Sequence, residues 1–233
     1  MNSISEITKK ASIAFEQYAF TTALQRANFL ETIASNIEAL GDTLLEQAHK
    51  ETNLPLVRLQ GERARTCFQL RMFATMLKEG HYVEASIDTA IASKTPPKPD
   101  IRKMLHPIGP IVVFGASNFP FAYSTAGGDT ASALAVGCPV IVKAHPAHLA
   151  TSTLVADAIV QAAETTKMPK DIFQHITLTS FEIGKALVKD ENVYAVGFTG
   201  SRNGGRALLD YASARKNPIP VFAEMGSVNP VIL

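Results

Sequence analysis

The spacing of apolar positions changes near residue 109 of this 233-residue chain. Before that point, apolar residues recur every three or four positions, as in Ile4, Ile7, Ala11, Ala14 and Tyr18, which predicts amphipathic helices. Three later segments show the same spacing. We therefore expect residues 1–80 to be helical.

The fourth of these helical segments runs from about Pro55 to Gly80 and carries two sets of side chains. We predict that its apolar line faces the core. We interpret its arginines as a solvated face, with an anion-binding site as the alternative. The apolar line consists of Ala64, Phe68, Met72 and Met76, and the arginines are Arg58, Arg63, Arg65 and Arg71.

From residue 109 onward, short apolar runs alternate with helical segments. This alternation is typical of a parallel sheet covered by helices, because buried parallel strands are apolar on both faces. We predict an α/β fold with a Rossmann-like parallel sheet. The strands are expected at 109–116, 138–144, 171–178, 194–200 and 219–225, and the helices at 121–136, 151–164, 181–189 and 202–214.

Residues 81–108 interrupt the two patterns. The segment Lys94–Asp100 has three prolines and cannot be helical, and Ile101–Leu105 alternates weakly, like an exposed strand. We expect this stretch to project from the main globule.

The composition limits the possible partners. The chain has 22 basic and 21 acidic residues, a balance that gives no reason to expect nucleic acid or an anionic membrane as a partner. Its longest apolar runs are too short to span a bilayer, and no signal peptide is evident, so we predict a cytoplasmic protein. Cys67 and Cys138 lie in apolar segments and are expected to be buried free thiols.

Ligands of parallel sheets bind beyond the carboxyl ends of the strands, so the polar residues at these ends form the candidate site. Asn118 is interpreted either as a helix N-cap or as an oxyanion donor. Lys143 is either a partly buried lysine with an exposed ammonium or a ribose or phosphate ligand. Glu224 is costly in an apolar strand end unless it is paired, solvated or used as a general base.

The glycine-rich turn from Thr199 to Gly205 is the second candidate. A turn of this kind leading into a helix suits a phosphate, but a plain tight turn explains it equally well. His145 and His148 have no third ligand nearby, so we do not expect a metal site. The chain also has no G-x-S-x-G motif, which excludes the nucleophile elbow of a hydrolase.

Four strings in order resemble the aldehyde dehydrogenase superfamily, particularly the branch that oxidises α-ketoglutaric semialdehyde and the NADP-linked fatty aldehyde dehydrogenases of bacteria. They are Gly115–Pro120 (GASNFP), Ala135–Lys143 (AVGCPVIVK), Gly197–Ser201 (GFTGS) and Glu224–Pro230 (EMGSVNP). The resemblance covers nearly the whole chain.

The resemblance implies oxidation of an aldehyde to a carboxylate through a cysteine thioester, with NADP or NAD as cofactor. Asn118 would hold the oxyanion and Glu224 would activate the hydrolytic water. The domains would be residues 1–80 and 109–224 for cofactor binding, 81–108 for oligomerisation, and 225–233 for the start of an incomplete catalytic domain. Cofactor-binding residues would be Ser117, Lys143, Pro146, Gly200, Ser201, Gly205 and Met225.

Two departures from the family pattern matter. The nucleophilic cysteine should follow Glu224 by a few tens of residues, whereas this chain has nine further residues. We therefore expect an inactive fragment of an oligomeric enzyme. We also expect it to aggregate, because residues 229–233 end in mid-strand and would expose an apolar edge. A non-catalytic nucleotide-binding module is the alternative. NAD-preferring members often have a glutamate where this chain has Pro146, so NADP should be tolerated.

Overall fold

The computed structural model describes residues 3–227 and residue 231. In chain order, the helices are α1 (Ile4–Tyr18), α2 (Ala23–Ala39), α3 (Gly41–Thr52), α4 (Leu56–Glu79), α5 (Gly128–Val136), α6 (Leu149–Thr165), α7 (Phe181–Lys189) and α8 (Arg202–Ser213). The strands are β1 (Ser86–Asp88), β2 (Ile101–Lys103), β3 (Ile111–Phe114), β4 (Val140–Lys143), β5 (Phe173–Ile176), β6 (Ala195–Gly200) and β7 (Val221–Met225). Most of the predicted segment 229–233 lies outside the described residues.

The five predicted strands form one parallel sheet in the order β5-β4-β3-β6-β7. The chain starts in the middle at β3, proceeds through β4 to β5, and then returns to the other side of β3 for β6 and β7. The order therefore reverses between β3 and β6, where a parallel sheet opens a crevice at its carboxyl edge. The predicted α/β class with a helix-flanked parallel sheet is confirmed.

The helical half packs on the helices that cover this sheet, because α2 contacts α5 and α6 and α4 contacts α5, while α1 contacts β4 and β5 directly. Two helices begin as their sequences dictate, because Ser3 with Glu6 and Thr22 with Gln25 form capping boxes. The buried Tyr18 hydroxyl donates to the Leu134 carbonyl at 2.7 Å and so ties α1 to α5. Within the described ranges, no helix is long and apolar enough to cross a membrane.

Residues 81–108 form a small separate sheet. Strand β1 pairs antiparallel with β2, and every residue of both strands is exposed. The predicted exposed strand is thus present, although it ends at Lys103 rather than Leu105. The role of this segment and the domain boundaries remain predictions.

The predicted core-facing line of α4 was wrong for Ala64, Phe68 and Met72, whereas Met76 packs against the core as expected. Phe68 is 66% exposed and Met72 is 44% exposed, whereas the buried stripe runs along a different face. The reason is that the buried face includes two polar residues, Glu62 and Thr66, which pattern counting assigns to the surface. The apolar members of the buried stripe are Leu59, Cys67, Leu70, Ala74 and Leu77.

The helix predicted at 121–136 begins seven residues late, at Gly128. Its first segment is a series of turns, in which the backbone N–H groups of Phe121 and Ala122 donate to the Glu62 carboxylate. Gly127 N–H donates to Ser124 O at 2.9 Å, which closes the last turn before α5. A side chain about 60 residues away thus bonds to the start of this turn segment.

Candidate active site

A cleft of about 910 Å³ opens at the carboxyl ends of β3, β6 and β7. This volume suits a small molecule or part of a dinucleotide. Six of the nine predicted site residues line it, whereas Lys143, Pro146 and Gly205 do not. The six are Ser117, Asn118, Gly200, Ser201, Glu224 and Met225.

Asn118 lies in the loop that follows β3, with an exposed side chain at the cleft. Its main-chain carbonyl accepts a hydrogen bond of 2.7 Å from Arg58 Nη2 on α4, and the Arg58 guanidinium stacks 4.8 Å from the ring centre of Phe119. The N-cap interpretation of Asn118 was wrong, because the next helix starts ten residues later. The backbone at Asn118 is therefore tied to α4.

Glu62 supports the same loop from beneath. Its Oε1 accepts from the backbone N–H groups of Phe121 at 2.8 Å and Ala122 at 2.9 Å, and the residue is 6% exposed. Burial raises the pKa of this carboxyl, although the two backbone N–H donors and the Arg58 charge oppose that shift. Sequence reasoning missed Glu62, because nothing in its local pattern distinguishes it from an exposed glutamate.

The glycine-rich turn leads from β6 into α8. Ser201 Oγ accepts from Gly204 N–H at 3.2 Å and caps the helix. A Cβ on Gly200 would lie 2.7 Å from the Phe198 ring, and one on Gly205 would lie 2.6 Å from Met225 Sδ. These glycines therefore allow Phe198 and Met225 to pack closely on the turn, and phosphate binding by the turn remains a prediction.

Two carboxylates line the cleft. Glu224 is exposed on β7, where its backbone lies opposite Thr199 of β6. Asp129, in the first turn of α5, packs on Gly197 so closely that a Cβ there would lie 2.8 Å from Asp129 Oδ2. Partial burial raises the pKa of Asp129, although the residue still reaches solvent. Asp129 was not predicted, since it lies within a helix and not at a strand end.

Lys143 and Pro146 lie at the end of β4, outside the cleft lining. Lys143 is half-buried next to Phe114 of β3 in the sheet register, and this burial lowers the pKa of its ammonium. Nearby, His145 Nδ1 accepts from a backbone N–H, and Nε2 of the buried His148 bonds to the Ala116 carbonyl at 2.8 Å. In the described part of the chain, no group of three metal-ligating side chains occurs.

Both cysteines are buried free thiols, as predicted. Burial raises the pKa of Cys67 to about 11 and also raises that of Cys138. Neither residue lines the cleft. Since the thiolate is the reactive form, neither cysteine is suited to nucleophilic chemistry.

Residues 2–233 match the family described as "Aldehyde dehydrogenase family". The chain belongs to this family. The fold is also that of solved aldehyde dehydrogenases. It superposes with a TM-score of 0.80, at 21% identity, on a double mutant of betaine aldehyde dehydrogenase from Staphylococcus aureus, which was solved in complex with NAD+. That match covers 95% of this chain and 42% of the solved one.

Two curated aldehyde dehydrogenases are more similar in sequence. "Alpha-ketoglutaric semialdehyde dehydrogenase 2" of Azospirillum brasilense is 57% identical over 221 residues, covering 94% of this chain and 42% of the relative. "Alpha-ketoglutaric semialdehyde dehydrogenase" of Acinetobacter baylyi is 49% identical, covering 100% of this chain and 44% of the relative. The chain thus spans less than half the length of these relatives.

Proposed function

We propose that this chain supplies the cofactor crevice, the oxyanion donor and the general base of an enzyme that oxidises α-ketoglutaric semialdehyde to its carboxylate. The observation that carries the proposal is that Asn118 and Glu224 line one cleft at the point where the strand order reverses. The 57% identity to an enzyme of that name supports the choice of substrate.

Asn118 stabilises the negative charge that develops on the aldehyde oxygen. Its amide N–H2 is a neutral donor, and an oxyanion donor is effective when it is held in place before the charge forms. Arg58 and Glu62 provide that preorganisation, because they bond the backbone at and after Asn118. The donor is therefore held by residues that do not touch the substrate.

Glu224 acts as the base that removes a proton from the hydrolytic water. No cation lies within ion-pair distance of its carboxylate in the described part of the chain, so no salt bridge occupies its oxygens. The exposed side chain reaches the solvent that supplies the water. The nucleophilic thiolate implied by the family is not one of this chain's two cysteines, so we expect the 233-residue chain alone to be inactive.

A nicotinamide cofactor fits the residues around the crevice and, when bound, supplies the hydride acceptor. Gly200 and Ser201 place the N-terminus of α8, with its free N–H groups and positive dipole, at the cleft. Lys143, at the same edge of the sheet, is a candidate ribose or phosphate ligand. The exposed Pro146 carries no charge to repel a 2′-phosphate, so we propose that NADP is accepted as well as NAD.

The test joins residue 233 to the C-terminal half of the Azospirillum brasilense relative. The joined enzyme should reduce NAD or NADP with α-ketoglutaric semialdehyde. Asn118→Ala should lower kcat/KM by about 100- to 1,000-fold. Glu224→Gln should retain a burst of reduced cofactor and lose steady-state turnover. Matched controls on exposed helical positions, Asn28→Ala and Glu164→Gln, should change neither rate.

The cofactor preference has its own test. Pro146→Glu should lower kcat/KM for NADP relative to NAD, because it adds a carboxylate next to the proposed ribose site. Failure of the joined enzyme to oxidise any aldehyde, or unchanged rates in both cleft variants, would contradict the proposed function. An unchanged NADP-to-NAD ratio would contradict only the assignment of Pro146.

A further inference from the structure

Arg65 of α4 reaches the same cleft as the proposed catalytic residues, although it is distant from them in sequence. Its Nη2 donates to the Tyr123 hydroxyl at 2.8 Å, and its guanidinium lies 5.2 Å from the centre of the Tyr123 ring. Tyr123 in turn makes an edge-to-face contact with Phe119 at 5.1 Å between ring centres. The side chain is exposed, but its orientation is fixed by these two contacts.

The other arginines of α4 are already engaged elsewhere. Arg58 bonds to the loop after β3, Arg63 Nη1 donates to the Gly41 carbonyl at 2.6 Å, and Arg71 forms a two-bond ion pair with Glu38. Arg65 has no ion-pair partner within the described residues. A guanidinium has five N–H groups, so most of its donors remain available to a ligand.

The charges of the cleft make this arginine significant. Among the described lining residues, Arg65 is the one cation, whereas Asp129 and Glu224 are both acidic. Without Arg65, the acidic groups would repel a substrate that carries a carboxylate. A stacked, planar guanidinium is also the side chain best suited to bind a carboxylate through two parallel hydrogen bonds.

We propose that Arg65 binds the carboxylate of an aldehyde acid and so selects anionic over neutral aldehydes. This inference rests on the proposed function, since it assigns a subsite of the same cleft. The Tyr123 side chain, itself packed against Phe119, holds the guanidinium, and the acidic residues of the cleft, Asp129 and Glu224, make a cation necessary there. The anion-binding alternative raised for the α4 arginines thus applies to Arg65 alone.

The first test uses the 233-residue chain and needs no turnover. Binding of 2-oxoglutarate, the carboxylate product, is measured by ligand-observed NMR beside its uncharged dimethyl ester. The chain should bind the anion at least tenfold more tightly than the ester. Arg65→Gln should remove that preference, Arg65→Lys should restore part of it, and the control Arg71→Gln should retain it. Equal binding by Arg65→Gln and the parent chain, or no binding of the anion at 10 mM, would overturn the inference.

The second test measures selectivity in the joined enzyme described above. The ratio of kcat/KM for 5-oxopentanoate to that for pentanal should fall about tenfold or more in Arg65→Gln, mainly through KM for the anionic aldehyde. Pentanal oxidation should persist, which shows that the fold and the chemistry survive the substitution. If Arg65→Gln is active and the ratio is unchanged, the role of Arg65 is refuted and the proposed function stands. If the joined enzyme with the parent sequence oxidises no aldehyde, the proposed function is refuted.

Discussion

Replacing Glu62 with alanine tests whether α4 holds the loop of the candidate oxyanion donor. The substitution removes the acceptor of two buried backbone N–H groups, those of Phe121 and Ala122, each of which is 1% exposed. Leaving a buried donor unpaired costs about 1–3 kcal/mol, so the two together cost about 4 kcal/mol. Glu62 Oε2 is itself buried without a hydrogen-bond partner, and its removal returns about 1 kcal/mol, which leaves a net loss of about 3 kcal/mol.

The assay is urea and thermal unfolding of the 233-residue chain, followed by circular dichroism at low protein concentration. For a chain of this length, a loss of about 3 kcal/mol lowers Tm by roughly 6–12 °C. Glu62→Gln is the matched control, because its amide oxygen retains the acceptor; its loss should be no more than about 1 kcal/mol. Equal stability of Glu62→Ala and the parent chain would refute the argument that this carboxylate holds the loop.

Comparing the parent chain with Glu62→Gln also tests how the free energy of unfolding depends on pH. Burial raises the pKa of Glu62 above its ordinary value of 4.5, so its contribution to stability is complete below about pH 4.5 and is lost as pH rises through the raised pKa. Glu62→Gln does not titrate. The stability of the parent relative to Glu62→Gln should therefore decrease as pH rises above about 4.5, and a pH-independent difference would contradict the direction of the shift.

Three other measurements test separate parts of the structure. Neither Cys67 nor Cys138 should react with a thiol reagent at pH 8 until denaturant is added, since both are buried with raised pKa values; a rapidly reacting thiol in the native chain would contradict this. Burial lowers the pKa of His175, in β5, to about 4, so its contribution to the free energy of unfolding is present above pH 6.5 and is lost as pH falls toward 4. In His175→Gln, the free energy of unfolding should depend less on pH over that range. Gly197→Ala should destabilise the chain by about 1–3 kcal/mol, because the new Cβ would lie 2.8 Å from the Asp129 carboxylate. Gly61→Ala, whose Cβ would have no atom within 4 Å, should stabilise the chain or have no effect. Equal effects of the two substitutions would contradict the packing argument.

The sequence was most informative where local pattern and burial agree. The run around Val140–Val142 is buried on both faces, so the continuous apolar pattern identified a central parallel strand. Once the strands were known, the parallel topology alone predicted that residues following them would meet. That reasoning located Asn118 and Glu224 in one cleft without any knowledge of distances.

The sequence was least informative where a side chain acts across the fold. The turns at 121–127 begin with two N–H groups that bond to the Glu62 carboxylate, and no local pattern reports an acceptor on another helix. The buried face of α4 was assigned wrongly because it carries Glu62, whose partners lie across the fold, and Thr66, whose hydroxyl bonds back to the Glu62 carbonyl. Asp129 and Arg65 belong to this class as well, because their importance comes from the neighbours that the cleft gives them.

Helix α4 packs against the loop after β3, so the residues that position this loop belong to a different element from the proposed catalytic residues. The proposed catalytic groups lie after β3 (Asn118) and at the end of β7 (Glu224), whereas Arg58, Glu62 and Arg65 all come from one helix, α4, that precedes Asn118 by about 60 residues. On the proposed function, substitutions along this helix would change where the donor points and which substrates enter, and would leave the sheet and the proposed catalytic side chains unaltered. A library restricted to one face of α4 would be an economical route to new aldehyde specificities.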